Sequence, residues 1–169
     1  MVKPLLMASV LLLPQQPAPP RQPQLGIIAG NVIAPEKTTL KAPIQIFLMP
    51  PPYAALWNQK LQEQLDLYWE RYKPAFLQKK ELFFEVSKMA YQDTLQVVMA
   101  RMSRDLGPGL KNYEANTAPD GRFQFKNLPL GDYRVVAYGR AGDQTYYWLG
   151  SVNLTDSIPQ FVQLKQHVP

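Results

Sequence analysis

A chain of 169 residues has room for one ordinary domain and a large excursion, but not for two independent cores. Its hydrophobic share of 46% excludes a disordered chain, and a net charge of only +5, with Lys and Arg interspersed among Asp and Glu, leaves no nucleic-acid footprint. The absence of cysteine excludes disulfides, thiolate metal sites and a thiol nucleophile.

The chain opens with Met1-Val2-Lys3, which carries one positive charge, and with an apolar run, Leu5 to Leu13, of signal-peptide length. Export to a periplasmic or extracellular location is the expectation. The cleavage motif around Ala18 is poor, so two other readings stay open: a retained arm, associated with a partner or a membrane surface, and a disordered start. The run is too short to span a bilayer, which takes roughly 20 apolar residues. Gln15 to Gln24, with its recurring prolines, reads as an extended spacer rather than a docking motif. Residues 1–24 thus form a signal-like segment and linker, and 25–166 a single domain with a helical insertion at 53–107.

Two strands are expected first. Gly26 to Ile33 is one and Ala42 to Met49 the other, with Ile44, Ile46 and Leu48 on a shared face. Pro50-Pro51-Pro52 stops the second, because proline cannot extend the ladder. From Tyr53 the period changes to three and four: Trp57, Leu61, Leu65, Tyr68 or Trp69, Tyr72 and Phe76 mark an amphipathic helix that Pro74 should kink or end. A second helical pattern runs from Gln78 to Leu106, with Leu82, Phe83, Val86, Met89, Ala90, Leu95, Val98 and Met102 as its apolar side, and Gly107-Pro108-Gly109 terminates it. The pair is an αα-hairpin or one bent helix. Its aromatic stripe is either the domain's second layer or an interface, and the two are not exclusive.

Strands resume after Lys111. Three short runs, Phe123–Phe125, Tyr133–Tyr138 and Tyr146–Leu154, are separated by Leu128-Pro129-Leu130-Gly131-Asp132 and by Gly139 to Asp143, with Asp120-Gly121 ahead of the first. They read as an antiparallel meander, with Tyr133, Val135 and Ala137 facing the core. Arg134 and Tyr138 face outward, and Val136 is unassigned. Phe161 to Leu164 closes a sheet system of about seven strands, the count of a mainly β sandwich.

The pairing of Asp120-Gly121-Arg122-Phe123-Gln124-Phe125 with Leu128-Pro129-Leu130-Gly131-Asp132-Tyr133, preceded by Gly30-x-Val32 and the strand Ile44 to Leu48, resembles the carboxypeptidase regulatory-like domain. That resemblance covers Gly26 to about Leu164 apart from the helical insertion. It implies a transthyretin-like (prealbumin-like) β-sandwich and a mostly noncatalytic module of exported or cell-surface proteins. Transthyretin-like hydrolases of this general fold use histidine and arginine sites, but Arg122 and Arg134 have no histidine companion.

Catalytic chemistry finds little support. His167 is the single histidine and sits in the C-terminal tail. The acid pairs Glu81/Glu85 and Asp66/Glu70 fit solvated helix faces better than a general acid and base. Asp120, Asp132, Asp143 and Asp156 occupy turns, where Asp caps its own backbone. No enzyme activity, cofactor or metal is therefore expected. The reading is a noncatalytic accessory or scaffold subunit that binds a protein partner through Trp57, Leu61, Leu65, Tyr68, Trp69, Tyr72 and Phe76. The alternative is a small-ligand or carbohydrate-binding module using Tyr146, Tyr147 and Trp148, and a hydrolase ranks third. An exposed helical stripe favours the first reading. A sealed stripe beside an open aromatic groove favours the second.

Overall fold

The computed structural model describes residues 24–79 and 81–168. The apolar run, the proline-rich tract up to residue 23 and Lys80 lie outside the described residues. Two sheets form the body. In the smaller, strand β1 (Leu25–Val32) lies between β4 (Arg122–Pro129), antiparallel to it, and β7 (Gln160–Leu164), parallel to it. In the larger, β3 (Glu114–Asn116), β2 (Leu40–Met49), β5 (Gly131–Ala141), β6 (Gln144–Leu154) and β8 (Gln166–Val168) run in that order, antiparallel throughout. Helices α1 (Pro51–Phe76) and α2 (Leu82–Leu106) are inserted between β2 and β3. At 26 and 25 residues they make helix and strand comparable in amount, which is more helix than a mainly β class implies.

The period of two sorts the strand residues between layers. Ile28 and Val32 from β1, Ile44, Ile46 and Leu48 from β2, Phe123 and Phe125 from β4, and Tyr133, Val135 and Ala137 from β5 all meet in the core between the sheets. Gly30 stands at the crowded point of that core. A β-carbon there would lie 2.4 Å from the Val162 carbonyl oxygen and 2.6 Å from the Phe123 ring, so only glycine lets the strands close.

The expected meander is corrected here. β4 lies in the smaller sheet and β5 in the larger, so Leu128 to Gly131 carries the chain across the sandwich instead of closing a hairpin. The Tyr133 hydroxyl donates to the Pro129 carbonyl at 2.7 Å and ties this crossing together. Asp120-Gly121 is likewise a crossing, from β3 to β4. Gly121 N–H donates to the Ala118 carbonyl at 2.9 Å, and the turn needs Gly121 at φ 83°, with a β-carbon otherwise 2.8 Å from the Val32 carbonyl oxygen. The turn expected over Gly139 to Asp143 shrinks to Gly142-Asp143, because β5 and β6 pair as far as Ala141 and Gln144. A short 3-10 turn, Gly107–Tyr113, delays the strand expected after Lys111, which is present as β3 from Glu114, and β8 adds an eighth strand.

Pro51 and Pro52 both stop β2 and start α1, since the first helical positions need no amide donor. Pro74 sits in the last turn, and α1 ends two residues after it. The two helices pack on each other as a hairpin, which settles the choice against one bent helix. The base of the hairpin covers the outer face of the larger sheet: Trp57, Val98 and Met102 pack on Met49, Val136 and Tyr147. Arg134 reaches across to donate to Asn58 Oδ1 at 2.8 Å. The body therefore has three layers, sheet, sheet and helical hairpin, and Val136 faces the helices.

Candidate functional site

Beyond the sheet, among the described residues, the helices pack on each other. Tyr68, Phe76, Val86 and Ala90 are buried between them, with Leu61, Leu65 and Tyr72 half-buried alongside, and the Tyr68 hydroxyl donates to the Asp93 carboxylate. Most of the expected binding stripe is thus internal packing. Trp57 is 1% exposed in the helix–sheet layer, Tyr68 and Phe76 are sealed between the helices, and of the seven stripe residues Trp69 alone is classed as exposed, at 45%. The apolar side assigned to the second helix also divides. Val86, Ala90, Val98 and Met102 are buried, whereas Leu82, Phe83 and Met89 stay exposed.

The open apolar surface is at the far end of the hairpin. Leu77, in the turn after α1, is 85% exposed, and Phe83 and Phe84 at the start of α2 are 45% and 51% exposed. With Trp69, Lys73 and Phe76 they line a groove of about 460 Å³. The aromatic rings hold one another in place: Trp69 and Phe76 are 5.5 Å apart, Phe76 and Phe83 5.8 Å at 73°, and Phe83 and Phe84 5.9 Å at 77°. Edge-to-face contacts of this kind are favourable and leave ring faces open to a partner. Backbone bonds make the turn compact, with Lys79 N–H donating to the Ala75 carbonyl at 2.9 Å and Leu82 N–H to the Lys79 carbonyl at 3.2 Å. Leu77, Phe83 and Phe84 lie outside the expected binding stripe: Phe83 is assigned only to the apolar side of the second helix, Leu77 sits in a turn, and Phe84 lies off that side.

The other aromatic candidates form no open site. Trp148 is fully buried between the sheets, its Nε1–H donates to the Ile33 carbonyl at 2.9 Å, and Tyr146 lies beside it with ring centres 5.7 Å apart. Tyr147 points the other way, into the helix layer, 5.9 Å from Tyr91. Burial, with smaller contributions from Tyr138 and Asp93, pushes the Tyr147 phenol up to about 12, and burial, with Tyr113, does the same to Tyr133. An unfolded tyrosine ionises near ~10, so the folded state holds these protons more tightly, and the linked stability is fully present below pH ~10. It is lost as pH rises from there through about 12. Urea midpoints measured across alkaline pH are expected to stay level to pH ~9.5 and then fall, less steeply for Tyr147→Phe than for the wild type. A variant falling as steeply would show that Tyr147 is not the group responsible.

The remaining charged residues are spoken for or spread out. Glu85 pairs with Lys88 at 3.6 Å, Arg101 with Asp105 at 2.6 Å and Lys41 with Asp143 at 3.2 Å, while Asp156 accepts the Ile158 N–H at 2.8 Å. Among the described residues no three metal-ligating side chains cluster, and no helix is long and apolar enough to cross a membrane. The side chain of His167 and the Lys80 half of the Lys79-Lys80 pair lie outside the described residues.

No family model matches this chain, and no curated protein matches it. Among solved structures, it is similar to the crystal structure of a Pseudomonas aeruginosa protein described as a "putative carbohydrate binding protein". The two are 18% identical, the match covers 90% of this chain and 98% of that one, and the TM-score is 0.35. At that score the likeness assigns neither fold family nor ligand.

Proposed function

We propose that this chain is a noncatalytic accessory or scaffold subunit of an extracytoplasmic assembly, in which the two-sheet body is a pedestal and the hairpin tip is the contact. The observation that carries this reading is the separation of tip from body. Trp57 and Val98 anchor the base of the hairpin on the sheet, while Trp69, Leu77, Phe83 and Phe84 cluster beyond it with their apolar surface open. A contiguous apolar patch of this kind costs solubility and marks a contact surface. The resemblance to carboxypeptidase regulatory-like domains, mostly noncatalytic modules of exported proteins, supports the role, and the apolar run Leu5 to Leu13 supports the location. The natively expressed protein is expected to sediment with a larger assembly, and the variant Trp69→Ser with Phe84→Ser to run as a folded monomer. Wild-type protein recovered as a free monomer would sink the reading.

One observation favours carbohydrate binding as a second reading, away from Tyr146 to Trp148. On the outer face of the smaller sheet, Ala29 is in register with Gln124 on one side and Phe161 on the other, and Phe161 is 63% exposed. Together with Arg122 and Asn116 they line a trough of about 510 Å³. An exposed ring for stacking beside planar amide and guanidinium donors suits a sugar. Glycan-array binding abolished by Phe161→Ala would support this face; an array blank for the wild type would remove it.

A further inference from the structure

We infer that the hairpin tip seats in the surface of an anionic lipid bilayer, as an interfacial wedge. This rests on the tip being the contact end of the molecule, and it names what the tip contacts. The first observation is the distribution of the apolar side chains, which gather at the end of the hairpin from the turn and from both helices. Leu77 is in the turn, Trp69 lies two turns back on α1, and Phe83 and Phe84 diverge on α2. Apolar side chains at the extremity of a hairpin can enter hydrocarbon without carrying the body with them.

Charge is the second observation. From Arg71 to Lys80 the sequence holds four cations, Arg71, Lys73, Lys79 and Lys80, and no acid. Lys73 lines the apolar groove itself, and no acid among the described residues pairs with Lys73 or Lys79. Asp66, Glu70, Glu81 and Glu85 are the nearby acids; Asp66 already accepts from Gln62, and Glu85 pairs with Lys88. Lysine stems can lie along apolar surface while their ammonium groups reach lipid phosphates, and tryptophan favours the headgroup level. The tip thus alternates the two chemistries that an interfacial helix end uses.

Reach is the third. The helix–sheet layer takes in α1 only as far as Leu61, and the helix continues to Phe76. Fifteen further residues at ~1.5 Å each carry the tip ~22 Å past that point. Interfacial elements enter the headgroup and acyl boundary by roughly 5–10 Å, so the tip can seat while the polar body stays in water.

Trp69 provides a reporter specific to the tip, because Trp57 and Trp148, the other two tryptophans, are buried. The full chain is mixed with vesicles of equal phosphatidylcholine and phosphatidylglycerol. It is expected to co-sediment, with emission shifted to shorter wavelength and quenched by brominated lipid, and Trp69→Phe should abolish that response. Leu77→Ser with Phe84→Ser, checked as folded by circular dichroism, should lower the partition coefficient by about tenfold. Lys73→Ala with Lys79→Ala should weaken binding severalfold at low salt and leave the weak binding to pure phosphatidylcholine unchanged. Co-sedimentation that survives the Leu77 and Phe84 changes, or emission that does not move, overturns the inference. If vesicles are ignored while sedimentation of the native assembly still depends on Trp69 and Phe84, the bilayer is wrong and the accessory reading stands. If neither depends on the tip, both fall.

Discussion

Trp57→Ala is expected to destabilise the protein by about 3–5 kcal/mol, the usual cost of truncating a buried tryptophan. Its ring is the largest side chain in the layer where α1 and α2 meet the sheet. It packs with Met49, Val98, Met102, Val136 and Tyr147 and lies 6.1 Å from the Tyr91 ring. Removing it opens a cavity in the layer that holds the hairpin base to the body. Hydrogen exchange should therefore speed up in α1 and α2 before it does in β5 and β6. Trp69→Ser, in contrast, removes a ring that is already 45% exposed, so a cost of about 1 kcal/mol is expected from its lost contacts with Phe76 and Phe83. The comparison is read from urea midpoints of the two variants. Equal losses would mean that Trp57 does not anchor the hairpin. The contrast also decides which variants can test binding: a Trp57 change confounds contact with unfolding, and a Trp69 change does not.

The same pair explains how much of the site was legible. Spacing of three and four finds the face of a helix that is buried, and it found Trp57, Tyr68 and Phe76 for that reason. A contact surface consists of the apolar residues left over, Leu77 in a turn and Phe84 off the stripe, which obey no period and stand out only once the packing partners are known. Strand identity was legible because turns such as Asp120-Gly121 and Leu128 to Gly131 are written in glycine, proline and aspartate. Which sheet each strand joins was not. Turn chemistry reverses the chain, but the next strand's neighbour depends on long-range packing, here β1 entering between β4 and β7. Val136 was ambiguous for a related reason. The larger sheet is covered on both faces, so β5 shows apolar residues at both parities.

Trp148→Ala is expected to cost about 4–8 kcal/mol, a large share of the whole stability of the domain. Two costs combine. Truncating the ring takes about 3–5 kcal/mol, and the Ile33 carbonyl, which accepts from Trp148 Nε1 at 2.9 Å, loses its partner for about 1–3 kcal/mol more. A domain of this size has about 5–15 kcal/mol in hand. Trp148 is opposite Ala137 in the β5–β6 register, and the small residue there makes room for the indole. The three successive aromatics at 146–148 are then explained by a strand covered on both faces, Tyr146 and Trp148 turned to the sandwich core and Tyr147 to the helices. Trp148→Phe separates the two costs, since it keeps most of the ring and loses the hydrogen bond, and it should fold with a loss of about 1–3 kcal/mol. The decisive comparison is circular dichroism and urea unfolding of both variants beside glycan binding. A Trp148→Ala protein that lost a bound sugar without losing stability would return Trp148 to the ligand site. One destabilised by several kcal/mol, beside a smaller loss in Trp148→Phe, assigns the residue to the core and leaves the outer face around Phe161 as the place to look for carbohydrate.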